Sequence, residues 1–228
     1  MTTQQDKTNH AVATVEESRD DERHFDRPIR INEIQIANLT MAFAIDRIIL
    51  SAKEKTRLPV FFVNAYCFNL TPKHLDYRAI LQRPGALILG DGSGVKLAGI
   101  LTRQRVAENV NGTDMLPLLC DRCAREGLKV YFFGAKPGRA QATGAQMQER
   151  FPGLLVAGSR DGYFSESETD NVIKDINESG ADILLAGLGA PVQERFIDQY
   201  GSKIRVPVLI GVGGLFDYYS GAIPRAPR

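Results

Sequence analysis

No stretch of the sequence approaches the eighteen or so consecutive apolar residues needed to cross a bilayer, so no segment reads as a membrane span by itself. Cysteine is scarce: Cys67, Cys120 and Cys123 are an odd number in a chain of this size, and the first thirty residues lack the layout of a signal peptide. That excludes a disulfide framework and leads us to expect a reducing cytoplasm. Histidine is scarcer still where it matters, because His10 and His24 lie near the amino terminus and only His74 remains for the folded part. A Ser-His-Asp or Cys-His device is therefore hard to assemble, and with no Asp-x-Asp anywhere a dedicated metal site is not expected. No Gly-x-Gly-x-x-Gly follows a strand pattern and no Gly-x-x-x-x-Gly-Lys-Ser/Thr occurs, which removes support for dinucleotide redox chemistry and P-loop hydrolysis. The net charge of +1 lacks the basic field of a general nucleic-acid binder.

What is present is an ordinary globular composition, 43% apolar and 24% charged over 228 residues, enough for one large domain with a short extra segment. Residues 1–24 carry six acids against three bases and no sizeable apolar run, and we expect a disordered leader there. Residues 25–228 then hold a net +4, compatible with an anionic small molecule or an anionic membrane surface. Continuously apolar strand candidates recur at Ile29–Ile36, Val60–Asn64, Ala86–Leu89, Lys129–Phe133, Leu154–Ala157, Ile183–Ala186 and Val208–Val212. Helical patterns fill the intervals near Leu39–Lys55, Thr71–Leu81, Ser93–Thr102, Thr113–Glu126, Pro137–Arg150, Glu166–Glu178 and Pro191–Tyr200. Thr71 followed by Pro72 reads as an N-cap with proline in the first turn, and Pro191 opens another helix. The alternation predicts an α/β fold, a Rossmann-like, predominantly parallel sheet with helices on both faces.

In such sheets ligands bind beyond the carboxyl ends of the strands. Those ends carry Asn64, Asp91 within Gly-Asp-Gly-Ser-Gly, Gly134-Ala135-Lys136, Asp161-Gly162-Tyr163-Phe164, Gly187-Leu188-Gly189-Ala190-Pro191-Val192-Gln193-Glu194 and Gly211-Val212-Gly213-Gly214. Glycines beside helix starts admit a phosphate to backbone N–H groups, and they also simply end strands. Asp91 is a general-base candidate whose pKa partial burial would raise, or else an N-cap for the helix near Ser93. Gln193 and Glu194 could hold a sugar or diphosphate, or else cap their helix. Cys120 and Cys123, three apart in a helical pattern, read as packing residues.

Taken in order, Val63-Asn64-Ala65, Asp91-Gly92-Ser93-Gly94-Val95, Val110-Asn111-Gly112-Thr113-Asp114, Asp161-Gly162-Tyr163-Phe164, the Gly187–Glu194 run, Gly211–Asp217 and Gly221 with Arg225-Ala226-Pro227 resemble the WecG/TagA/CpsF glycosyltransferases. The resemblance runs from about residue 30 to the last residue. It implies an inverting, metal-independent enzyme without a cofactor, moving a hexose from a UDP-sugar to a sugar on a polyprenyl diphosphate. It also implies work in bacterial surface-polysaccharide synthesis, cytoplasmic and peripheral to the inner membrane face, with a homo-oligomer possible. By position it makes Asp91 the catalytic base and Asn64, Asn109, Asp114, Gln193, Glu194 and Arg225 substrate contacts. The nucleotide site falls on Gly134, Gly162, Tyr163, Gly187, Gly189 and Gly213.

Two departures from the family pattern stand out. Asn109 occupies the place of a usual arginine and Val192 that of a usual lysine, so two positive charges near the pocket are missing and an uncharged donor sugar is favoured. Asn109 also keeps open a noncatalytic sugar-nucleotide-binding protein of the same fold. Relatives continue past the Arg-Ala-Pro segment, and the chain is expected to be a truncated form lacking a membrane-associating appendage.

Overall fold

The computed structural model describes residues 27–223, so the acidic leader and Arg225 lie outside the described residues. The chain opens with a short antiparallel hairpin, β1 (Ile29–Ile31) and β2 (Ile34–Ile36). The sequence reading of one strand over Ile29–Ile36 is corrected here: Asn32 and Glu33 both adopt positive φ, 46° and 66°, and fold the segment back on itself. Helix α1 (Met41–Lys53) follows, capped by the Thr40 hydroxyl, and leads to β3 (Leu58–Val63).

Next come two short helices, α2 (Ala65–Leu70) and α3 (Leu75–Leu81), where one was expected. Thr71 does not cap a helix start. It closes α2, its hydroxyl donating to the Phe68 carbonyl, and the N-cap of α2 is Asn64, whose Oδ1 accepts the Cys67 N–H at 3.2 Å. Beyond these lie β4 (Leu87–Gly90), α4 (Ser93–Leu101), α5 (Gly112–Glu126), β5 (Lys129–Gly134), α6 (Arg139–Arg150) and β6 (Leu155–Arg160). The chain then runs through α7 (Thr169–Glu178), β7 (Ile183–Gly187), α8 (Val192–Tyr200), β8 (Val208–Gly211) and α9 (Leu215–Tyr219).

Strands β3 to β8 form one sheet in the order β4-β3-β8-β7-β5-β6, with every pairing parallel. Residues alternate between its faces with the strand period of two. On one face Val60, Phe62, Leu89, Phe132, Leu185 and Ile210 pack against α1, α5, α6 and α9. On the other, Phe61, Val63, Ile88, Phe133, Leu184 and Leu209 pack against the hairpin, α3, α7 and α8. The fold is thus the expected Rossmann-like arrangement, with helices on both faces. Cys120 and Cys123 lie in the first core, free and fully buried, and burial pushes the Cys120 thiol up to about 12, where it is inert.

Parallel pairing places every strand's carboxyl end on one rim, and two glycines let the central strands approach there. At Gly134, with φ of +127°, a Cβ would stand 2.4 Å from the Gly187 carbonyl oxygen. Gly134→Ala is therefore expected to cost at least about 2 kcal/mol in denaturant unfolding, combining strain with a backbone clash. Gly127→Ala, at a left-handed helix C-cap with nothing within 4 Å of the added carbon, is expected to cost only about 1 kcal/mol.

Candidate functional site

Two adjoining concavities open on that rim. The first, of about 480 Å³, is lined by Phe62, Asn64, Tyr66, Asp91, Gln193 and Tyr218 among others. The second, of about 290 Å³, is lined by Lys136, Arg139, Gly162, Tyr163, Gly187 and Asp217. Gly189, Gly213 and Gly214 belong to both and form the saddle between them. A larger groove of about 750 Å³ lies elsewhere, between the hairpin and the amino end of β4. It has none of the strand-end loops, so the chemistry is assigned to the rim.

Asp91 follows the last residue of β4, and its own N–H donates to the Val63 carbonyl at 2.8 Å, which fixes it beside Asn64. The cap of α4 is Gly92, at φ of +92° and with no side-chain capping bond, so the Asp91 carboxylate is not spent on the helix. The helix-cap reading of Asp91 therefore falls. Burial first, and the negative charge of Asp114 second, push the Asp91 carboxyl up to about 6. A carboxyl of that strength is mostly anionic at neutrality, yet holds a proton more readily than a free carboxylate.

Asn109, expected to contact substrate, is not among the residues that line either concavity. Its Oδ1 accepts the Gly92 N–H at 2.6 Å and ties the loop after Asp91 to the segment before α5. Asp114 does not line the pocket: its N–H donates to Asn111 Oδ1 at 2.8 Å and its Oδ2 accepts from Asn111 Nδ2 at 2.9 Å, so it secures the start of α5. Its effect on the pocket is the field it imposes on Asp91.

Gln193, in the first turn of α8, is 3% exposed. Its Oε1 accepts the Gly213 N–H at 2.8 Å and its Nε2 donates to Glu194 Oε1 at 3.0 Å, so its amide is held in one orientation from both ends. Gly211 makes room for it, since a Cβ there would stand 2.8 Å from Gln193 Nε2. Glu194, expected to touch substrate, does not reach the pocket surface: it is 0% exposed and lies beneath Gln193. Burial pushes its carboxyl up to about 7, against the opposing Gln193 bond. Its Oε2 and the Tyr77 hydroxyl are buried side-chain polar atoms without a hydrogen-bond partner among the described residues, so a neutral, protonated Glu194 suits this position.

Among the glycine-loop residues, Gly162, Tyr163, Gly187, Gly189 and Gly213 line the second cleft, whereas Gly134 lies beneath it, packed on Gly187. Tyr163 is largely exposed and its N–H donates to Asp161 Oδ1 at 2.9 Å. Of the cations of the cleft, Lys136 belongs to a strand end that the sequence marks, without a role of its own, and Arg139 is not marked at all. Reading the helix from Pro137 hid Arg139, which is the first residue of α6 after the left-handed Gly138 and is ion-paired with Asp217. The sequence signal was a Pro-Gly turn followed directly by a base at a helix start. Tyr66 and Tyr218, which flank the first pocket, had no such signal.

A profile of the Glycosyl transferase WecG/TagA/CpsF family matches residues 29–228. Over 155 residues the chain is 32% identical to the N-acetylglucosaminyldiphosphoundecaprenol N-acetyl-beta-D-mannosaminyltransferase of Bacillus subtilis (strain 168), covering 68% of this chain and 59% of that protein. The enzyme of the same name from Bacillus spizizenii (strain ATCC 23059 / NRRL B-14472 / W23) is 33% identical over 151 residues, covering 66% and 58%. The match thus spans under two thirds of the length of these relatives. A parallel sheet with a high-pKa aspartate and glycine loops at one rim, together with a family match across nearly all the described residues, places the chain in the WecG/TagA/CpsF glycosyltransferase family.

Proposed function

We propose that this protein is an inverting glycosyltransferase that moves a neutral hexose from a UDP-sugar to a sugar carried on a polyprenyl diphosphate. The observation that carries the reading is Asp91: an uncapped, largely buried carboxyl with a pKa near 6, beside Asn64 and Gln193 in a pocket that joins a cation-lined cleft. The two compartments suit the two halves of the reaction. The acceptor hydroxyl and donor sugar occupy the first pocket, and the leaving diphosphate lies over the saddle toward Lys136 and Arg139.

In one step the acceptor oxygen gives its proton to Asp91 and bonds to the anomeric carbon, while the bond from that carbon to the diphosphate oxygen breaks on the opposite side. The configuration inverts, and UDP leaves with the electron pair. Lys136, Arg139 and the N–H groups of the glycine loops meet the charge that develops on it, which makes a metal-free reaction chemically reasonable. The bacterial relatives are named for transfer of N-acetylmannosamine to an N-acetylglucosaminyl-diphosphoundecaprenol. A sugar of that uncharged class agrees with a first pocket lined, among the described residues, by no cation.

Asp91→Asn is expected to lower UDP release with a short-chain polyprenyl-diphosphate sugar by roughly 10²–10⁴ while leaving UDP affinity within a few-fold. Near-normal turnover would show that the base lies elsewhere. The working form of Asp91 is the anion, so wild-type kcat/KM should fall as pH drops below about 6. Turnover that persists in excess EDTA is the expected sign of the metal-free mechanism; loss restored by magnesium or manganese would refute it.

The stability effect has the opposite sense. A carboxyl whose folded pKa of about 6 exceeds its unfolded value contributes stability that is complete below the unfolded pKa, roughly 4, and is lost as pH rises through 6. Asp91→Asn should therefore melt about 2–4 °C above wild type at pH 8 and level with it near pH 4, read by thermal unfolding at both values.

A further inference from the structure

Helix α4 carries its apolar side chains outward. Val95, 3% exposed, and the buried Gly99 lie four residues apart and face the body of the protein. Leu97, Ile100 and Leu101 stand at the i, i+3, i+4 spacing of the outer face and are 57%, 71% and 76% exposed. A surface helix of a globular protein puts polar residues there.

Within α4 and the segment that follows it the charges are of one sign. From Gly92 to Ala107 the chain holds Lys96, Arg103 and Arg105 and no aspartate or glutamate, and Lys96 and Arg103 are exposed. The stripe is also tied to the pocket. Asp91 immediately precedes the Gly92 cap of α4, and a Cβ at Gly94 would lie 3.4 Å from Ala65 Cβ, at the start of α2. The next residue of α2 is Tyr66, 60% exposed at the pocket.

We infer that the outer face of α4, with Tyr66 at the pocket mouth, is a docking surface for an anionic lipid bilayer. The inference rests on the polyprenyl-linked acceptor proposed above. Leu97, Ile100 and Leu101 enter the boundary between headgroups and acyl chains, while Lys96 and Arg103 meet lipid phosphates. The acceptor's diphosphate-linked sugar then reaches Asp91 while its isoprenoid tail stays in the bilayer.

A second copy of the chain fits this face poorly. The stripe lies on a nine-residue helix about 13 Å long, short of the roughly 800 Å² per partner of a stable protein interface. A two-fold contact would also bring the same bases face to face. Shallow insertion into a lipid interface needs neither a large area nor a matching acid.

The test compares wild type, a Leu97→Ser/Ile100→Ser/Leu101→Ser variant and a Lys96→Glu/Arg103→Glu variant. Each is sedimented with phosphatidylcholine vesicles with or without about 30% phosphatidylglycerol, the anionic lipid that attracts basic surface residues. We expect wild type to sediment with the anionic vesicles and the serine variant to bind them at least about tenfold more weakly. The charge-reversed variant should lose the preference for anionic lipid while keeping any binding to neutral vesicles. The serine variant should release UDP at the wild-type rate with a water-soluble short-prenyl acceptor and at least about tenfold more slowly with a long-prenyl acceptor in vesicles.

Equal vesicle binding by wild type and the serine variant, or no binding by wild type, overturns the inference. So does a fall from dimer to monomer mass in the serine variant by light scattering, which would give the face to a second copy. Absence of turnover by wild type on the soluble acceptor would instead strike the glycosyltransferase reading, while the sedimentation comparison would still decide the docking surface.

Discussion

Burial of one parallel sheet on both faces governs everything else in this protein. With helices on either side, the inner strands have no solvent face on which to hold a polar side chain, and β7, Ile183–Gly187, is buried at every position. Polar chemistry is displaced to where the strands stop. Because all pairings are parallel, six strands stop on the same side, and Asn64, Asp91, Ala135 and Gly162, Gly189 and Gly213 meet there though they are spread over some 150 residues of sequence. The rim is a result of topology, and its glycines are the condition for closing it.

Much of this was legible beforehand for a physical reason. Continuous apolar runs separated by helical patterns leave few alternatives to a covered parallel sheet, and six of the seven runs form its strands within a few residues. The misreadings occurred where short-range geometry outweighed pattern. Ile29–Ile36 looks like one strand because its side chains are apolar, yet two residues at positive φ make it a hairpin. Thr71-Pro72 has the chemistry of a helix start, but Asn64 had already capped the preceding helix and Thr71 closes it. At the site, Asp91 could be found from its glycine neighbours, whereas its freedom from capping could not, since that depends on Gly92 turning the chain. Glu194 looked like a contact because it follows Gln193; helix geometry turns it into the core, where it steadies its neighbour instead.

The electrostatics divide the rim into two zones. Asp91, Asp114 and Glu194 cluster on the side of the first pocket, and the first and last have carboxyls that resist ionisation. Lys136 and Arg139 stand on the side of the second. In the reaction proposed above, the acidic zone would receive the acceptor's proton and the basic zone the departing diphosphate. The glycine saddle separates them with backbone alone and adds no side-chain charge of its own. Asn109 fits this division: a neutral amide can hold the Gly92 N–H without cancelling the field that keeps Asp91 basic.

The edges of the sheet bear on how the chain avoids its own kind while folding. At β4 the Ala37 N–H donates to the Ile88 carbonyl at 2.8 Å, so the segment leaving the hairpin occupies bonds that another strand would seek. At β6, on the far side, the pairing with β5 slips between Val130 and Tyr131, and Gly158 admits the Tyr131 ring where a Cβ would stand 2.7 Å from it. One margin is partly covered and the other is shifted in register. Each margin thus departs from the straight, open row of N–H and carbonyl groups on which sheets extend from molecule to molecule.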